Sequence, residues 1–280
     1  MADLLYLDNV DVGGLVIASG EEPFFIAGIL NSSVANFVFR RISKPFRGEY
    51  LSANKQFIAP LPVPPASPED RSTVAARARA LQDKHTARRD TLVRIKRRLS
   101  TMRRRNRPET WLFAGLKSKH DLVADAPAPL DEDRKREWAD RRYILDLAAR
   151  HDAITVRLQP GASITPEFKG GELSVSIDGV PVIERIFVDA AEGEFIAVQW
   201  KVLAATLAIS EMTDGKKLAN ALRNLAVPDN PALVQQIITL EDELSALDSE
   251  IMQREAEMNA LVNRLYGLTK AETVLVQKGA

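Results

Sequence analysis

The chain has no cysteine among its 280 residues, which excludes disulfides, thiolate nucleophiles and cysteine-held metal sites, and makes a reducing cytoplasm the expected compartment. It also lacks net charge. Its 38 Lys and Arg balance 38 Asp and Glu, so the global basic field of many nucleic-acid-binding proteins is missing. No apolar run reaches the roughly 18 residues that span a bilayer, and the N-terminus lacks the basic stretch and cleavage site of a secretory signal, so no membrane association is expected. The three histidines, His85, His120 and His151, are too far apart for ligand spacing, and zinc is not expected. There is no G-x-S-x-G elbow for a serine nucleophile, no internal repeat and no low-complexity tract. What is present is a 45% hydrophobic content, enough for a real core and for two compact units.

The most informative pattern is a pair of matching heptads. Val74, Ala78, Leu81, His85, Arg88, Leu92, Ile95, Leu99 and Met102 follow alternating steps of four and three, with His85 and Arg88 as polar interruptions. Leu233, Ile237, Leu240, Leu244, Leu247, Ile251, Arg254, Met258, Leu261 and Leu265 repeat the rhythm, with one polar interruption. The charges are opposite: residues 71–107 hold fourteen Lys or Arg against two acids, and residues 231–272 hold eight acids against three bases. An antiparallel two-helix coiled coil follows, about 69–105 with 231–266, with Val74 level with Leu265 and Met102 level with Leu233. His85 and Arg88 then face Ile251 and Arg254, a polar layer to be answered by Glu250, Glu255 or Glu257. An unpaired buried arginine would cost about 3 to 5 kcal/mol.

Around the arms the chain changes character. LLYLDNV and GLVIAS, parted by Gly13 and Gly14, read as strands, and the chain is expected to be a fragment of a longer protein. Phe25, Ile29, Leu30, Val34, Phe37 and Val38 outline one face of a helix over 23–41, with Pro23 in its first turn. Five prolines between Pro60 and Pro68 form a stiff extended lead-in, and Ser67 before Pro68, Glu69 and Asp70 starts the first arm. Pro108, Trp111, Leu112 and Phe113 open a small α/β insert over 108–230. It should hold a polar helix over 131–151, a strand in AITVRL, a hairpin at Asp178-Gly179, and helices over 194–210 and 215–225. Pro228 and Pro231 close it. Trp138, Tyr143 and Trp200 of the insert read as core rather than as stacking platforms.

Three passages then bear on family. GILNSSVANFVFRRISKPFRGEYLSANKQFIAPLPVP has a small-residue helix, a basic glycine-containing loop and a Pro-rich step. PLPVPPASPEDRSTVAARARAL runs that step into a long helix, and EMNALVNRLYGLTKAETVLV ends one at Tyr266, Gly267, Leu268 and Thr269. In this order they resemble the C-terminal target-recognition region of type IIG restriction-modification enzymes and related adenine-specific DNA methyltransferases. The second passage is similar also to the helices of type I specificity subunits. The resemblance covers residues 1–105 and 231–280. It implies that 1–68 is part of a target-recognition domain, a strand-helix-loop remnant, followed by arms at 69–107 and 231–280. The implied partners are double-stranded DNA and a methyltransferase or endonuclease catalytic domain, in the same parent chain or in a separate subunit.

The chemistry of a complete enzyme is missing. An amino-methyltransferase of this class needs an [DN]-P-P-[YFW] loop to hold a flipped base. The nearest passage, DNPA at 229–232, lacks the second proline and the aromatic residue. There is no glycine-rich cofactor turn, and no cofactor is expected. Asp152 with Glu167 and Lys169 loosely fits a nuclease pattern, but SITPEFKGG reads as a turn carrying solvated charges. The candidate DNA-contacting residues are Arg40, Arg41, Lys44, Arg47 and Lys55 around the Gly48 loop, with Tyr50 and Phe57 interleaved, and Arg103, Arg104 and Arg105 at the far end of the first arm. Bracing of the helix is the competing role for the first group. A solvated face or partner-helix pairing, continuous with Arg94, Lys96, Arg97 and Arg98, is the competing role for the second. The expected protein is α+β and helix-rich, a non-catalytic DNA specificity module. The alternative is a structural coiled-coil protein that docks a partner or a second copy without DNA.

Overall fold

The computed structural model describes residues 17, 19–45, 51–159, 161–206 and 214–279. The expected strands of LLYLDNV and GLVIAS lie outside them, apart from Ile17 and Ser19. The fold is α+β and helix-rich, with two small antiparallel sheets. The chain divides into two compact units, one of Met1–Asp90 with Leu244–Ala280 and one of Thr91–Glu243. Two long helices, α4 (Pro68–Ser100) and α10 (Pro231–Leu265), contribute residues to both.

The first unit begins with α1 (Pro23–Leu30) and α2 (Ser33–Ile42) where one helix was expected. The break comes from two polar side chains inside the apolar run, which take backbone partners for themselves. Asn31 Nδ2 donates to Ala27 O at 2.8 Å and Ser32 Oγ donates to Ile29 O at 2.7 Å. The same Ser32 Oγ accepts from Ala35 N at 3.3 Å and so caps α2. A short α3 (Lys55–Ile58) precedes the prolines. Ser67 Oγ accepts from Asp70 N at 3.1 Å at the start of α4, the cap expected there.

On the α10 segment Leu244, Ile251 and Met258, seven residues apart, are buried together with Leu261. On the α4 segment Val74 and Ala75 are buried, while Ala78 and Leu81 are half-buried. The apolar seam is not left to two helices, however. Phe25 and Ile29 of α1 share its core with Val74, Ala75, Met258, Leu261 and Val262. Gly28 makes this approach possible, since a Cβ there would lie 2.8 Å from Val74 Cγ1. Ion pairs flank the core in antiparallel order: Arg77 with Glu257 at 3.6 Å, Lys84 with Glu250 at 2.7 Å, and Arg88 with Asp248. In the polar layer His85 meets Glu255 at 3.2 Å and Arg254 meets Glu250 at 2.8 Å. Asp248, rather than any of the three glutamates expected, answers Arg88.

The end of α10 is a glycine stop. Gly267 takes φ +68°, and Gly267 N and Leu268 N donate to Arg264 O and Asn263 O at 2.9 and 3.0 Å. The chain does not trail off there. Thr269 and Glu272 form a reciprocal capping box, with bonds of 2.8 and 3.3 Å, and start α11 (Lys270–Gly279), which packs on α2.

The second unit corrects the expected first arm at its far end. Helix α4 stops at Ser100, where Ser100 and Thr101 hydroxyls donate back to Arg97 O and Arg98 O. Residues Arg103–Asn106 form strand β1 instead of helix. Then come α5 (Glu109–Leu112), α6 (Lys119–Ala124) and α7 (Glu132–Thr155). AITVRL, expected as a strand, is the helical end of α7 and the turn after it, because Ile154 and Leu158, four apart, both point into the core.

A three-stranded sheet follows, β2 (Ile164–Lys169), β3 (Glu172–Ile177) and β4 (Val180–Phe187), in that spatial order. Leu173, Val175 and Ile177 alternate inward along β3. The expected hairpin is present, with Asp178 at φ +50° and Gly179 at φ +76°. The segment around Glu167, expected as a turn, is β2, paired along its length with β3. Its Phe168 ring fills the space where Gly193 of α8 (Ala190–Thr206) has no side chain. The unit closes with α9 (Gly215–Arg223) and β5 (Asn224–Val227), which pairs antiparallel with β1. Its core gathers Leu112, Phe113, Ile154, Ile196, Trp200 and Leu218 around the sheet. Trp200 is buried, and its indole N–H donates to Leu222 O at 2.7 Å.

Candidate nucleic-acid interface

In the first unit α2 delivers Arg40 and Arg41 in its last turn. Arg41 folds back, its guanidinium 3.3 Å from the Phe37 ring centre and Nη1 donating to Phe37 O at 2.7 Å. These contacts hold the guanidinium against its own helix end. Arg40, Lys44 and Lys55 are exposed and have no carboxylate partner among the described residues. The neck of the basic loop is tied by Ser43 Oγ to Ser52 O at 2.6 Å and by Ser52 N to Lys44 O at 2.9 Å. That brings Lys44 and Lys55 to the same end of α2. Phe57 is buried and anchors α3, while Arg47 and Tyr50 lie outside the described residues.

The second unit holds the denser cluster. Lys96, Arg97 and Arg98 occupy the last turns of α4, where positive charge also suits the helix dipole. Arg103, Arg104 and Arg105 follow on β1, so their side chains alternate between two faces. Arg105 lines a groove of about 500 Å³ with Arg107, Phe195, Val227 and Val234. Arg104 and Lys96 line a cleft of about 180 Å³ on the other face, beside Gln199, and Arg104 Nη1 donates to Asn224 O at 3.1 Å.

Pairing separates these six cations from their neighbours. Arg94 meets Glu243 at 3.7 Å, Arg223 meets Glu109 at 2.8 Å, and Arg107 meets Glu192. Lys96, Arg97, Arg98, Arg103, Arg104 and Arg105 meet no carboxylate among the described residues. In the first unit, by contrast, Arg71, Arg77, Arg79, Lys84, Arg88 and Arg89 each lie within 4.0 Å of one.

The sheet edges differ as well. Gln199 closes the outer side of β5, its Oε1 accepting from Ala226 N at 2.6 Å and its Nε2 donating to Ala226 O at 3.3 Å. Arg104 lies opposite Ala226, so its own N–H and C=O turn toward the outer edge of β1. Strand β1 therefore presents arginine side chains and backbone donors together. Neither β1 nor β5 was legible beforehand, since four-residue strands without alternating apolar residues give no periodic signal.

Asp152 lies on α7, and Glu167 and Lys169 on β2, with both Asp152 and Glu167 exposed. The described residues contain no group of three or more His, Asp or Glu side chains placed to hold a metal ion. His120 is exposed, and His151 packs its ring edge-on against Phe113 with centroids 5.7 Å apart. Burial, with Lys216 nearby, holds the His151 imidazole below the ordinary histidine value. No described helix is long and apolar enough to cross a membrane.

Comparison with known proteins gives no match to a family model, a curated protein or a solved structure.

Proposed function

We propose that the chain is a non-catalytic duplex-DNA recognition module of a restriction-modification or adenine DNA methyltransferase system. In this reading α4 and α10 form an antiparallel coiled-coil scaffold, and a catalytic domain in the same parent protein or another subunit supplies the chemistry. The observation that carries it is the set of six cations on the end of α4 and on β1, unanswered by carboxylates in a chain whose net charge is zero. Positive charge without an internal partner is what phosphate contacts require, and each contact releases counterions from the duplex. Arg40, Lys44 and Lys55 supply further phosphate contacts.

Fluorescence anisotropy of a labelled mixed-sequence duplex at two salt concentrations tests this. If all six cations contact phosphates, log K falls against log salt with a slope of about −5. Replacing Arg103, Arg104 and Arg105 by Ser should flatten the slope by nearly 3 units. No binding at low salt, or a slope indifferent to the triple replacement, would sink the reading.

The second reading, a coiled-coil protein docking a partner without DNA, is favoured by the apolar groove beside β1, where Phe195, Val227 and Val234 are gathered. It predicts self-association or partner capture that survives the arginine replacements.

A further inference from the structure

The first unit contains a second feature, unrelated to its basic loop. Between α1, the start of α2 and the facing segments of α4 and α10 lies a cavity of about 800 Å³. Its apolar lining is Phe24, Ala27 and Gly28 of α1 with Leu81 of α4 and Met258 of α10. The lining also carries carboxamides, Asn31, Asn36, Gln82 and Asn259, with Ser33 among them. Of the lining groups, His85 and Glu255 are titratable, and they face each other at 3.2 Å.

The hydrogen-bond accounting shows which groups are uncommitted. Ser33 N donates to Asn259 Oδ1 at 2.8 Å and Ala35 N to Ser32 Oγ at 3.3 Å, so the start of α2 is already answered from within. Asn31 Nδ2 is spent on Ala27 O. Asn36 and Gln82 make no side-chain hydrogen bond among the described residues, and Asn259 keeps its amide donors. Ser33 Oγ is buried without a hydrogen-bond partner there, which a native interior rarely tolerates. The cavity thus combines one buried orphan hydroxyl, two uncommitted amides and the free amide donors of Asn259 with an apolar lining.

This chemistry selects a ligand. An amide side chain sets donors beside an acceptor, the complement of a heteroaromatic edge. The apolar lining suits the faces of a flat ring, with the Met258 thioether adaptable to its outline. The Glu255 carboxylate disfavours an anion inside. Arg40, one turn after Asn36 on the same face of α2, offers an exposed cation outside. We infer that this cavity binds a nucleobase, read by Asn36, Gln82, Asn259 and Ser33, with any attached phosphate directed to Arg40. The base is that of a free nucleoside or nucleotide, or one taken from a nucleic acid. The latter source rests on the DNA-binding reading.

The test uses the full chain with 2-aminopurine riboside, and with single-stranded and duplex oligonucleotides carrying one 2-aminopurine, followed by fluorescence and anisotropy. Asn36→Ala and Gln82→Ala, outside the buried core, are the variants, with circular dichroism as the check on folding. Saturable riboside binding, weakened about tenfold by each variant, is the expected result. A parallel change in the oligonucleotide signal identifies nucleic acid as the source, and a riboside response without oligonucleotide binding supports the cavity while removing the DNA reading. Salt-dependent duplex binding with no riboside response overturns the cavity and leaves the DNA reading standing. Binding of no probe, or binding indifferent to both variants, overturns the inference.

Discussion

Gly28 carries more of the first unit than its size suggests. A methyl group there meets the stiff β-branched Val74 at 2.8 Å, with Ala78 and Met258 close behind, so α1 must move away from the core or Val74 must leave its rotamer. Gly28→Ala should lower stability by about 1 to 3 kcal/mol in urea titration, despite the higher helix propensity of alanine. A neutral or stabilising result would show that α1 docks loosely. His151 is the second informative residue. Because burial lowers its folded-state value, the folded form prefers the neutral ring, and the associated stability is complete above about pH 6.5. It is lost as pH falls from there through the depressed value. His151→Gln should flatten that part of the stability-against-pH curve. Equal slopes in wild type and His151→Gln would disprove the assignment.

Among the elements, the long helices were legible because their signal repeats. Ile237, Leu240, Leu244, Ile251, Met258 and Leu261 are buried, as a seven-residue period requires of one face. The break between α1 and α2 was not legible, since apolar residues continue on both sides of Asn31 and Ser32. Those two side chains hydrogen-bond backward to α1 carbonyls, a choice that composition alone does not reveal. Strand β1 was hidden for a different reason: a run of arginines suits a helix end or an edge strand equally, and the decision is made by β5, more than a hundred residues away. The cavity in the first unit was out of reach altogether, because Ser33 and Asn259 are 226 residues apart in sequence. The flanking ion pairs allow a test of the facing register. Arg88→Asp should destabilise the first unit by up to about 1 kcal/mol, and Arg88→Asp with Asp248→Arg should recover most of it, given that both side chains are partly exposed. A double variant no better than the sum of its singles would mean that the two charges do not interact.

At the scale of the whole molecule, charge is partitioned rather than absent. A net charge of zero conceals one stretch whose cations are matched side chain by side chain and another whose cations are not. Bulk properties such as the isoelectric point of about 6.9 therefore say little about where a polyanion would settle. The chain path has a further consequence, for biosynthesis. The first unit is assembled from two stretches separated by the whole of the second, about 150 residues. A ribosome adding about 5 to 20 residues per second takes on the order of 8 to 30 s to cross that interval. Throughout it Val74 and its neighbours on α4 are without Met258, Leu261 and Val262, the side chains that complete their core. The second unit can finish folding while the first is still half made, with α1 as the part of that core already available to Val74 and Ala75.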